Sequence, residues 1–124
     1  AAFRKAEPAL PAAVTSYCRP DQHDLDWGAW ARGGFAFLPE AYVNDFGGSV
    51  SPASCVAGAA QWFPKAQVHP TVASYSGTKE GFVSPQTYAR LLAQAGTTGF
   101  SIYPAEVGMS ADDWQAYGSA ITVS

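Results

Sequence analysis

Two stretches of this chain read as copies of each other. Gly34-Phe35-Ala36-Phe37-Leu38-Pro39-Glu40 returns as Gly99-Phe100-Ser101-Ile102-Tyr103-Pro104-Ala105-Glu106. Each copy is a short apolar run led in by Gly, closed by Pro and followed by a carboxylate. Each precedes a helix pattern that opens on Ser. A near-continuous apolar run of this length is the signature of a parallel strand covered on both faces. α/β folds put their chemistry at the carboxyl ends of such strands. The repeat therefore points both to a fold class and to the place where a site belongs.

The same unit can be read four times. The first strand spans residues 12–18 and is closed by Pro20; Asp24 or Asp26 then caps a short helix through Trp27, Trp30 and Ala31, ended by Gly33-Gly34. The second strand, 34–40 running on to Tyr42, leads through the loop Asn44-Asp45-Phe46-Gly47-Gly48 to Ser51-Pro52, a helix start. That helix carries the stripe Val56, Ala59, Ala60 and Phe63 and stops at Pro64. The third strand lies in 67–75, with Pro70 forcing a bulge or a start near Thr71. A loop over 76–83, holding Lys79 and Glu80, precedes Ser84-Pro85 and a helix whose stripe is Tyr88, Leu91, Leu92 and Ala95, ended by Gly96. The fourth strand is 99–104. Ser110-Ala111-Asp112-Asp113 then forms a capping box for a last helix bearing Trp114, Tyr117 and Ile121. Residues 1–11 read as the tail of a preceding element, a helix end at Phe3-Arg4-Lys5-Ala6 stopped by Pro8 and Pro11.

Four β-loop-α units of about thirty residues predict a single α/β domain over 1–124, with parallel strands and right-handed crossovers. Four units are half of a (β/α)8 TIM barrel. Half a barrel leaves two strand edges open, so a further partner is expected: an amino-terminal half of the same polypeptide, a second chain or a second copy. The alternative architecture is an open four-stranded α/β layer.

Composition narrows the partners. The 124 residues carry a net charge of -3 with no Lys/Arg run, which argues against nucleic acid. The apolar runs fall far short of the ~18 residues of a membrane span, and no segment has the layout of a signal peptide. The glycines never form GxGxxG, no Gly-x-Ser-x-Gly elbow appears, and no cofactor is expected. Cys18 and Cys55 lack CxxC spacing and read first as two free, partly buried thiols. The alternative is one disulfide, which points to an extracellular or virion setting.

Four sets of residues carry a resemblance. Leu10-Pro11-Ala12-Ala13-Val14-Thr15-Ser16-Tyr17, Phe37-Leu38-Pro39-Glu40-Ala41-Tyr42, His69-Pro70-Thr71-Val72-Ala73-Ser74-Tyr75 and Gly99-Phe100-Ser101-Ile102-Tyr103 are similar to strand ends in the carboxyl-terminal half of glycoside-hydrolase-like TIM barrels, including those of bacterial and phage cell-wall-associated proteins. The resemblance covers about residues 8–121. It implies a barrel segment that hydrolyses or binds a bacterial cell-surface polysaccharide and is extracellular or virion-associated. It also implies that part of the machinery, including a general acid, lies in a first half outside this chain.

Glu40 and Glu106 are the leading catalytic pair. Glycoside hydrolysis needs two carboxyls flanking the scissile bond, about 5 Å apart for a covalent intermediate and about 6.5–9.5 Å apart for direct attack by water. Tyr42, Phe46 and Tyr103 can supply the apolar surround that keeps one protonated. Tyr17, Tyr42, Tyr75 and Tyr103 place one tyrosine at each strand end, either as a sugar-binding rim or as plugs of the barrel mouth. Asp21 and Asn44 complete the expected sugar contacts. Asp21, His23 and Asp24 match no metal motif and read as a cap and a solvated loop, so no metal is expected. His69 reads as structural, and Trp27, Trp30, Trp62 and Trp114 read as core on helices. A non-catalytic glycan-binding or assembly module is the alternative function.

Overall fold

The structure, a computed structural model, describes residues 2–18, 25–104 and 109–121. Helix α1 (Ala2–Ala6) is followed by strand β1 (Ala13–Tyr17), helix α2 (Trp27–Arg32) and strand β2 (Ala36–Glu40). Then come two helices, α3 (Val43–Phe46) and α4 (Pro52–Ala59), a 3-10 turn (Lys65–Gln67) and strand β3 (Thr71–Ala73). A small hairpin, β4 (Ser76–Gly77) and β5 (Gly81–Phe82), separates β3 from helix α5 (Pro85–Ala95), strand β6 (Ser101–Tyr103) and helix α6 (Ala111–Ser119).

The four main strands form one parallel sheet in the order β1-β2-β3-β6, so each crossover leads to the next strand in space. The class is therefore α/β, as the repeated units require. Register aligns Tyr17 with Glu40, Glu40 with Thr71 and Thr71 with Ser101. Partners in a ladder share a face. One face thus carries Val14, Phe37, Val72 and Ile102; the other carries Thr15, Leu38, Tyr17, Glu40 and Tyr103.

The first of these faces is the core. Phe37, stacked on Phe63 at 4.9 Å and tilted against Trp27 at 5.7 Å, joins Val68, Ala31 and Ala59 in one cluster. Val72, Tyr88, Leu92, Tyr117 and Ala120 form a second under α5 and α6. The second face is open along β1, whose residues alternate between exposed and half-buried. The expectation of strands covered on both sides holds for β3, which is buried throughout, and fails for β1.

Local chemistry sets the helix starts. Ser51 accepts from the Ser54 amide while the Ser54 hydroxyl accepts from the Ser51 amide, and Pro52 needs no partner at the first position. Ser84 caps α5 and Ser110 pairs with Asp113 at α6. Asp26 is the cap of α2, and its side chain accepts from the Ala29 amide; Asp24, the other candidate, lies outside the described residues. Gly96 adopts φ +65° at the end of α5, a conformation that favours glycine.

The structure also corrects several expectations. Cys18 and Cys55 are joined by a disulfide and are not free thiols. Strand β2 stops at Glu40, and the segment read as a loop from Asn44 is helix α3, for which Tyr42 is the cap residue. The segment 76–83, read as a loop, folds into the β4–β5 hairpin. One expectation here holds: the third strand begins at Thr71, as Pro70 signalled, since proline has no N–H to give, and Val68 makes only an isolated bridge to Phe37. Trp27 is core and Trp62, just beyond α4, packs partly buried against the same cluster, but Trp30 and Trp114 are exposed, because each helix turns only one narrow stripe to the sheet.

Candidate functional site at the carboxyl rim

The carboxyl ends of β1, β2, β3 and β6 converge on one aromatic platform. Tyr42 sits at its centre, just beyond β2. Its ring stacks on Phe46 at 6.3 Å with 5° between planes and on Tyr103 at 6.1 Å with 18°. Tyr75 meets it edge-on at 6.1 Å, and Tyr17 meets Phe46 edge-on at 6.2 Å. All four strand-end tyrosines thus belong to one continuous set, joined through Phe46. Tyr42 is only 9% exposed, whereas Tyr17 at 51% and Tyr103 at 58% turn ring surface to solvent. The platform is a rim with a buried centre and two open wings.

Glu40 lies within this platform. It ends β2 in register with Tyr17, on the neighbouring strand about 4.8 Å away. The described residues offer its carboxylate no hydrogen bond and no ion pair. Its charge is felt by Tyr42: the phenol is pushed up to about 12, first by burial and then by Glu40. The Tyr42 hydroxyl therefore keeps its proton at neutral pH and can donate a hydrogen bond while Glu40 accepts one. Glu106, Asp21 and His23 lie outside the described residues.

Asn44 takes a different place from the one expected of a sugar ligand. It is fully buried in α3, where its amide nitrogen donates to the Tyr75 carbonyl at 2.5 Å and its amide oxygen accepts from the Tyr88 hydroxyl. Its backbone carbonyl accepts from the amides of Lys79 and Glu80. Beside it, Asp45 accepts from the Tyr75 hydroxyl and from the amide and hydroxyl of Thr78. These bonds, the Tyr75 one first, hold the Asp45 carboxyl below its ordinary range. Tyr75 moves the other way, raised by burial first and by Asp45 next. Asn44 and Asp45 are thus the clamp that fixes the hairpin and Tyr75 against the platform.

Gly77 shows how tight the clamp is. A Cβ there would lie 2.3 Å from the Asn44 carbonyl carbon, so only glycine lets the hairpin approach α3 this closely. The sequence stripe that placed Tyr88 in the core carried no sign that its hydroxyl would reach Asn44. The only local hint was a polar Asn in a run ending in Gly47-Gly48, which also suits an ordinary turn.

Behind the rim, the disulfide joins Cys18, the residue after β1, to Cys55 in α4. Both sulfurs are buried beside Ala41 and Val50. The bond ties the end of the strand that bears Tyr17 to the helix layer. No described helix is long and apolar enough to cross a membrane. Comparison with protein-family models, with curated proteins and with solved structures finds no match to this chain.

Proposed function

We propose that the chain is a glycoside-hydrolase-like barrel segment whose carboxyl rim engages a bacterial cell-surface polysaccharide. One observation carries the proposal: a continuous aromatic platform holding a phenol and a carboxylate that has no partner among the described residues. Ring faces match the C–H faces of sugars, and a carboxylate beside phenols matches their hydroxyls. The sequential strand order supports the barrel reading, since consecutive neighbours are how a (β/α)8 sheet is wound. In that reading the face bearing Thr15, Leu38 and Glu40 lines the interior, and a further segment or a second copy closes the barrel. The disulfide supports an extracellular or virion-associated setting, because such bonds persist where thiols are not kept reduced.

Two readings of the site follow. In the first, Glu40 is a catalytic carboxylate with Glu106 as its partner across the rim. In the second, the rim binds glycan without cleaving it, a reading favoured by the extent of the stacked tyrosines. Binding to a panel of purified bacterial cell-wall polysaccharides tests the shared claim. Tyr103→Ala should weaken binding about fivefold, the equivalent of about 1 kcal/mol of lost stacking, with the melting temperature held. Unchanged binding in Tyr103→Ala, or no binding by the parent chain, would overturn it. Reducing-end release separates the two readings: Glu40→Gln abolishes turnover in the first, and the parent chain shows none in the second.

A further inference from the structure

We draw no further inference here: the strongest candidate, the side-chain cluster at the amino ends of β3 and β6 where Gln67 Oε1, His69 Nδ1 and Thr97 Oγ1 are buried without a hydrogen-bond partner, carries nothing, because the imidazole closes on Gly99, where a Cβ would lie 2.7 Å from Nδ1, and nothing in the structure shows what would complete the three atoms.

Discussion

Asn44 ties α3 to two distant parts of the chain. Its amide bridges the Tyr75 carbonyl and the Tyr88 hydroxyl in a site closed to water. Asn44→Ala strands both partners, and each buried group left unpaired costs about 1–3 kcal/mol. The expected loss is about 3 kcal/mol in urea unfolding, with accelerated hydrogen exchange at the Lys79 and Glu80 amides. A loss under about 0.5 kcal/mol, the range of an ordinary surface change, would show that the hub is not closed. Glu40 is the opposite case. Among the described residues its side chain makes no hydrogen bond or ion pair, so Glu40→Gln should leave stability within about 0.5 kcal/mol while altering ligand affinity. A residue that costs nothing to replace and yet faces the platform is the expected form of a functional group.

At the scale of elements, two clamps hold the rim. The disulfide closes a separation of 37 residues between β1 and α4. Loop-closure entropy for that span corresponds to about 4 kcal/mol. The double variant Cys18→Ser, Cys55→Ser should lose an amount of this order in denaturant unfolding, and dithiothreitol should reproduce it in the parent chain. Equal stability with and without reductant would mean that the bond does not constrain the unfolded chain. The second clamp is Asp45 on the hairpin. Its folded carboxyl titrates below its unfolded value, so its contribution is complete above about pH 4 and is lost as pH falls through the lower folded value. Asp45→Asn should flatten that acid limb of the stability curve, and the hairpin amide of Thr78 should report the release by hydrogen exchange. An unchanged acid limb would assign the dependence to other carboxyls, of which Asp113 at the α6 cap is the next candidate.

For the whole molecule, the open question is the face that carries Thr15, Leu38 and Glu40. In the described sheet, β1 and β6 have a neighbour on one side only, and β1 turns alternate residues to solvent. Unpaired edges of this kind invite a further strand. If the chain is a barrel segment that closes on a second copy, light scattering should give a mass of twice 13.0 kDa or more. Co-expression with an amino-terminal βα segment should instead give a mixed species of defined mass. A stable species of 13.0 kDa would favour the self-contained open layer.

Local chemistry was legible in the sequence wherever a rule acts over a few residues. The Ser-Pro helix starts, the Ser110–Asp113 box, the glycine at the end of α5 and the apolar strand runs all depend on near neighbours, and the four main strands and the starts of α2, α4, α5 and α6 stood where these signals put them, whereas α4 ends at Ala59, short of Phe63 and Pro64, and α6 ends at Ser119, short of Ile121. The rim tyrosines were legible for the same reason, since a strand end is a local feature. What the chain could not display along its length is contact between distant residues. The Asn44 amide finds partners 31 and 44 residues away, and Cys18 finds Cys55 only because parallel winding sets α4 beside the end of β1. The hairpin over 76–82 has too few apolar residues to declare itself; it exists because α3 supplies its hydrogen bonds. Periodicity and capping are properties of a segment, whereas satisfying a buried polar group is a property of the packed whole, and only the tertiary structure decides it.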